Sequence, residues 1–294
     1  MRVFVTGATG FIGGATAARL TAAGHHVLGL ARSDRSAHRL TTLGCEVVRG
    51  ELLDRPVLAA AAQKADAVVH CAATSVGEHR AALGALLPAM RGTGKPLVYN
   101  SGSLIYGDTG PTPVTEDHPL SRDWVAWHII NENDVFDPRW EIRGVSIRVP
   151  LAFGHGGGNL QRQMVTTARQ VGYAGYVEPG DKRWSTVYVD DLGELFRLAV
   201  ERGRTGQAYN AASGSLSMRD WASAIAQAVG HPQEVRAWTA HQARVELNRD
   251  SVFEIDQLLD STLARTELSW APIGPDAYSD FATGSYAVRE PHGA

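Results

Sequence analysis

The chain has 294 residues, 44% of them hydrophobic and 20% charged, with a formal charge of -3. That length suits one large α/β unit, or one domain with a small appendage, and the near-balanced charge without a basic block argues against a nucleic-acid partner. No apolar run approaches the roughly 18 residues of a membrane span. The two cysteines, Cys45 and Cys71, read as reduced core thiols rather than a disulfide or metal pair.

The first stretch organises the rest. Val3 to Val5 is a short apolar run that reads as a buried strand, and a helical pattern runs from Phe11 through Leu20. An opening directly on a strand leads us to expect no signal peptide and a cytoplasmic location. Between strand and helix lie Gly7, Gly10 and Gly13. Gly7 permits a tight turn, Gly10 lets backbone approach a phosphate, and Gly13 lets the helix pack on the strand. The loop residues Thr9, Phe11 and Ile12 would offer backbone N–H groups, at the positive end of the helix dipole, to a pyrophosphate.

Val27 to Leu30 forms a second strand and is followed by Ala31-Arg32-Ser33. An acidic residue here would hold the 2′-hydroxyl of NAD. Arg32 instead offers a planar cation, with the Ser33 hydroxyl beside it, suited to a 2′-phosphate. Asp34 could partly compensate Arg32, yet the pattern favours NADP over NAD. Cys45 to Gly50 is a third strand and Ala65 to His70 a fourth, running into the small residues Cys71, Ala72 and Ala73, which leave room for a cofactor to cross the strand end. His70, closing a buried strand, reads as structural. Glu78 to Met90 is a helix, and Lys95 to Asn100 a fifth strand. Alternating strands and helices specify a Rossmann-type, doubly wound parallel sheet.

These residues carry a resemblance. Thr6 to Gly13 is similar to the fingerprint of the extended short-chain dehydrogenase/reductase family, the NAD(P)-dependent epimerase/dehydratase group. Gly50-Glu51-Leu52-Leu53-Asp54, Val69 to Ala73, Tyr99-Asn100-Ser101-Gly102-Ser103 with Ile105-Tyr106-Gly107, and Ile147 to Pro150 resemble further family segments in order. So do Val187 to Leu192, Tyr209 to Ala212 and Ala264 to Trp270. The resemblance implies a nucleotide-binding domain over 1–150, to which segments around 185–212 return, and a smaller substrate lobe built mainly from 151–294. It also implies cofactor contacts from Glu51, Leu52, Cys71 to Ala73 and Asn100, a small-molecule substrate, and a homodimer as the family's usual assembly.

The family's chemistry needs a tyrosine four residues before a lysine on one helix face, where the cation lowers the phenol pKa. None of the eight tyrosines here has a lysine or arginine at that distance. The matching helix is expected over Ser121 to Glu132, with Trp124 at the tyrosine position and His128 at the lysine, or Trp127 and Asn131 if the alignment slips by three. The family's serine position falls on Gly102, flanked by Ser101 and Ser103. Replacement groups are therefore Ser101 or Ser103 to hold a substrate oxygen, His128, which titrates near neutrality, and the phenols Tyr106 and Tyr188.

Further on, Asn159 to Val171 should form a helix, Gly175 to Val177 an edge strand, and Ser217 to Val229 a helix opening on a capping box with Asp220. Lys182-Arg183-Trp184-Ser185 places cations and an aromatic near the expected pocket, as substrate contacts or as a solvated turn. Asp190-Asp191 reads as helix capping rather than a metal site. His155 to Gly158 lacks a nucleophile elbow, and no histidine spacing suggests zinc. Three functions remain in view: an NADP(H)-dependent oxidoreductase of a small carbonyl or hydroxy compound with an atypical proton relay, a non-redox isomerase, cyclase or dehydratase, and an NADP(H)-binding sensor without turnover.

Overall fold

Apolar runs bounded by glycine or polar turns form the strands, and the amphipathic stretches between them form the helices. The computed structural model describes residues 1–72, 75–247 and 251–287. Its first half contains β1 (Arg2–Thr6), α1 (Phe11–Ala22), β2 (His26–Ala31), α2 (Asp34–Thr42), β3 (Glu46–Arg49), α3 (Arg55–Lys64), β4 (Ala67–His70), α4 (Val76–Met90), β5 (Pro96–Gly102), α5 (Ala126–Phe136) and β6 (Arg143–Val149). Then come β7 (Leu151–Phe153), α6 (Asn159–Val171), β8 (Ala174–Val177), β9 (Arg183–Tyr188), α7 (Val189–Arg202), β10 (Gln207–Asn210), β11 (Gly214–Ser217), α8 (Met218–Ala228) and β12 (Val235–Trp238).

Seven strands pair in parallel in the order β10-β6-β5-β4-β1-β2-β3. From β1 the chain winds outward through β2 and β3, then crosses back to β4, β5 and β6. The switch point therefore lies between β1 and β4, where a crevice opens at the carboxyl ends of the strands. Val3, Phe4 and Val5 are fully buried, as are Val68 and Val69 opposite them. Helix α7 packs on α1 through Gly193, whose missing side chain lets the two backbones approach: a Cβ there would stand 2.8 Å from the Ala15 carbonyl.

The later chain adds a three-stranded sheet, β11-β9-β7, and a two-stranded one, β12-β8. Their core is aromatic, with Phe153, Trp184, Trp221 and Phe281 buried together. Of the capping box expected at α8 the serine half is present: Ser217 Oγ accepts from the Asp220 backbone N–H at 3.0 Å, while the Asp220 carboxylate accepts from Ser217 Oγ at 2.7 Å. Among the described residues, no helix is long and apolar enough to cross a membrane.

One expected helix is displaced. Instead of spanning Ser121 to Glu132, α5 begins at Ala126 and continues to Phe136. Ser121 Oγ binds the Asp123 carboxylate at 2.5 Å and accepts from the Asp123 N–H at 3.2 Å, so a local side-chain turn occupies the groups a helix start would use. Trp124 consequently sits in a turn, off the helix that carries His128.

Candidate functional site

A cleft of about 1050 Å³ runs along the switch point and gathers residues from both ends of the chain. Its floor is the β1–α1 loop. Gly7 has φ of 75° and faces β4 so closely that a Cβ would lie 2.7 Å from the Ala72 nitrogen. Gly10 caps α1 without any side-chain hydrogen bond, which leaves the first N–H groups of the helix directed at the cleft. A side chain at Gly7 would collide with the backbone of Cys71 and Ala72, so the turn that shapes this pyrophosphate cradle requires glycine there. The donor set thus fits a dinucleotide. Thr9, Phe11 and Ile12 complete the loop wall.

Of the other residues singled out for the cofactor, Arg32, Ser33, Glu51, Leu52, Cys71, Ala72 and Asn100 all line the same cleft. Gly13 does not reach it. It packs against the Gly7 carbonyl, where any Cβ would overlap, so its task is the helix–strand contact. Ala73 lies outside the described residues. Burial raises the Cys71 thiol pKa to about 12, which makes it an inert wall rather than a nucleophile.

At the α2 end of the cleft the structure adds Ser36 and Arg39, which the sequence reading did not single out, to Arg35. Arg35, Ser36 and Arg39 on α2 line the cleft beside Arg32 and Ser33. Among the described residues none of these three arginines forms an ion pair. Asp34 does not compensate Arg32, because its carboxylate is 2.7 Å from Arg49 Nη2 on β3. Ser33 caps α2 in a reciprocal box with Ser36. The i, i+4 spacing of Arg35 and Arg39 was the available signal.

At the opposite end, β5 alternates. Asn100 and Gly102 face the cleft with Ser103 just beyond, whereas Ser101 points away; it is buried and its Oγ has no hydrogen-bond partner. His128 enters the cleft over Gly102: a Cβ at that glycine would be 3.4 Å from His128 Nε2. Its other ring nitrogen, Nδ1, lies 2.7 Å from the Tyr99 hydroxyl, and Trp127 stacks on the ring at 3.6 Å. Burial, aided by nearby His79, lowers the His128 pKa to about 3, so the ring is neutral near physiological pH.

The remaining candidates lie elsewhere. Tyr106 is buried in a network behind the cleft, donating to Asn210 and accepting from Arg148, each at 2.7 Å, and burial raises its phenol pKa to about 12. Arg148 in turn binds Glu132. Tyr188 packs beside His155 and Phe153, off the cleft lining, and burial pushes its phenol up as well. Lys182 is tied to Asp256 and Arg183 to Ser215, while Trp184 and Ser185 do reach the cleft. Asp191 accepts from the Ile273 and Gly274 N–H groups and Asp190 binds His155, so neither side chain caps α7 as the sequence suggested. His70 is wholly buried, 2.7 Å from Thr6 Oγ1 and 3.0 Å from His79. Leu151, Gln161 and Gln257, contributed by distant segments, also line the cleft.

A doubly wound sheet with a glycine cradle at its switch point defines a Rossmann-type dinucleotide-binding fold. The chain belongs to the NAD dependent epimerase/dehydratase family, whose model matches residues 3–212. It is 31% identical over 289 residues to an uncharacterized protein of Saccharomyces cerevisiae, covering 92% of this chain and 95% of that one. A UDP-glucose 4-epimerase of Mycolicibacterium smegmatis is 29% identical, with 92% and 94% covered. A 4-hydroxy-2-methyl-3-oxo-4-farnesyl-3,4-dihydroquinoline-1-oxide ketoreductase of Stigmatella aurantiaca is 27% identical, with 80% and 75% covered. In fold the chain is similar to the dTDP-glucose 4,6-dehydratase DesIV of Streptomyces venezuelae, solved with NAD bound, at a TM-score of 0.81, 21% identity, and coverage of 97% and 96%. Named relatives of this chain include epimerases and reductases, and as a member of this family it is an NAD(P)-dependent enzyme.

Proposed function

We propose that the protein is an NADP(H)-dependent oxidoreductase acting on a small carbonyl or hydroxy compound, with His128 in place of the family's tyrosine–lysine pair. The observation that carries this reading is one cleft with Arg32, Arg35 and Arg39 at one end and His128 Nε2 at the other. Three arginines without acidic partners, beside Ser33 and Ser36, suit a 2′-phosphate and leave an uncompensated positive patch without one. When bound, the reduced nicotinamide supplies hydride. The chain's own residues orient the substrate and handle the proton. His128 Nε2 and the Ser103 hydroxyl stand where a carbonyl oxygen is to be held, and the neutral imidazole donates to that oxygen as negative charge develops on it. Trp184 and Leu151 bound the substrate end and limit water.

The test is a titration with NADPH and NADH in parallel, followed by a panel of aldehydes and ketones. Micromolar NADPH affinity, much weaker NADH affinity and NADPH consumption support the reading. Equal affinity for both cofactors removes the phosphate assignment. A second reading follows from the family relatives named as epimerases and dehydratases: substrate conversion without net consumption of cofactor would move the protein to that group.

A further inference from the structure

Behind His128 runs a hydrogen-bond chain with no tyrosine–lysine counterpart. Asn131, one turn along α5, places Nδ2 3.0 Å from the Tyr99 hydroxyl on β5, and that hydroxyl lies 2.7 Å from His128 Nδ1. An amide N–H only donates, so the phenol oxygen accepts from Asn131 and its own proton points to Nδ1. This arrangement calls for the single imidazole proton on Nε2, on the side of Gly102 and the cleft. Tyr99 is wholly buried and does not line the cleft.

We propose that Tyr99, oriented by Asn131, is the positioning residue that fixes His128 in the Nε2–H tautomer and resupplies the proton His128 gives to substrate. This rests on the carbonyl-reduction reading above. In the step, the substrate oxygen gains the proton leaving Nε2 while Nδ1 gains the phenol proton, so the imidazole stays neutral and the phenol becomes phenolate. After product leaves, a water proton enters at Nε2 and the Nδ1 proton returns to Tyr99, restoring both groups. Burial holds both groups neutral at rest, lowering the His128 imidazole and raising the Tyr99 phenol, so the phenolate forms only within the step itself. The groups around the pair are His79 on α4, His70 on β4, Trp127, Asn131 and Glu132 on α5, and Arg148 on β6 paired to Glu132. His70 stacks on the Tyr99 ring at 6.0 Å and shares a hydrogen bond with His79.

The first test needs no turnover. Nitrogen NMR of the histidine-labelled full-length protein, with His128 assigned by loss of its signals in His128→Gln, should show a protonated Nε2 and a bare Nδ1 from pH 5 to 8. A protonated Nδ1, or an imidazolium in that range, overturns the proposal. In Tyr99→Phe the fixed tautomer should give way to a mixture, NADPH affinity should stay within about twofold, and kcat should fall by about 100-fold, the scale of a lost general acid. Retained kcat overturns the proton-supply role. Should Tyr99→Phe fail to fold, Asn131→Ala serves, with the same spectral change and a smaller kcat loss expected, and an unchanged spectrum counting against the chain. If the protein binds NADPH and reduces nothing, the function reading fails, while the tautomer is still decided by the spectrum.

Discussion

Arg49 Nη2 lies 2.7 Å from Asp34 Oδ1, drawing the acidic residue of the β2–α2 turn toward β3 and away from Arg32. The turn is thereby left with the Arg32 cation facing the cleft and the Asp34 carboxylate paired to Arg49 on the surface.

Cofactor choice should follow from that arrangement. Replacing Arg32 by Asp should weaken NADPH binding by about 10- to 100-fold, the equivalent of roughly 1.5–3 kcal/mol for a charged hydrogen bond, and change NADH binding by much less. Arg35→Ala and Arg39→Ala should move the same ratio by smaller factors. Asp34→Asn should leave it nearly unchanged. Parallel fluorescence titrations check all four, and equal losses for both cofactors would remove Arg32 from phosphate recognition.

Acid should destabilise the fold through its buried histidines. Burial, reinforced by His79, holds His70 at about 3 against an ordinary value of 6.5, and His128 is depressed to about 3 by the same causes. Between those limits the unfolded chain binds protons that the folded chain refuses, so stability rises with pH in this window and is lost as pH falls below about 6.5. Each histidine contributes about 1.4 kcal/mol per pH unit, or about 2 kcal/mol between pH 6.5 and 5. Urea midpoints at pH 7 and pH 5 measure it, and His70→Gln should flatten the slope by one proton. Identical midpoints at the two pH values would show that the rings protonate within the fold.

The buried pair of Glu132 and Arg148, 2.9 Å apart and almost sealed from solvent, should behave asymmetrically. Removing one partner in Glu132→Ala strands the other charge and should cost about 3–5 kcal/mol. Arg148 also donates to Tyr106 and to the Glu116 carbonyl, so its contacts are only partly lost. Replacing both as Glu132→Leu with Arg148→Met should recover much of the loss. Thermal or urea unfolding of the single and double variants distinguishes the two, and a mild effect in the single variant would show that water reaches the pair.

Local signals were legible in the sequence and distant ones were not. Gly7, Gly10 and Gly13 announce the cradle because the turn, the phosphate approach and the helix packing are all settled within a dozen residues. The doubly wound parallel sheet, though not its strand order, followed from strand–helix alternation. The helix over Ser121 to Glu132 was placed by matching the family's tyrosine–lysine helix, and the Ser121–Asp123 turn that delays its start to Ala126 is a side-chain contact. Tyr99 was invisible as a partner of His128, since they sit 29 residues apart and meet only when α5 lies on β5. Tyr106 and Tyr188 were named as candidate acids from their places just after the fifth strand and in the later strand, and only the three-dimensional network shows the first bound to Asn210 and Arg148 and the second beside His155.

Gly102 tests how the cleft uses His128. The residue is extended, with φ of -127°, so any side chain is allowed by the backbone. A Cβ would stand 3.4 Å from Nε2, close enough to crowd the ring yet not to clash. Gly102→Ala should therefore fold with little change in stability, within about 0.5 kcal/mol, as a substitution without strain. Gly102→Val, with branches reaching further, should screen Nε2 from the cleft. Turnover should fall by about 100-fold, the scale of a lost proton donor, while NADPH affinity changes by only a small factor because the phosphate cradle is at the other end. The measurement is kcat and NADPH affinity for the two variants side by side. A valine variant with full turnover would mean that the substrate oxygen is held by Ser103 or another group, and His128 would revert to a packing residue.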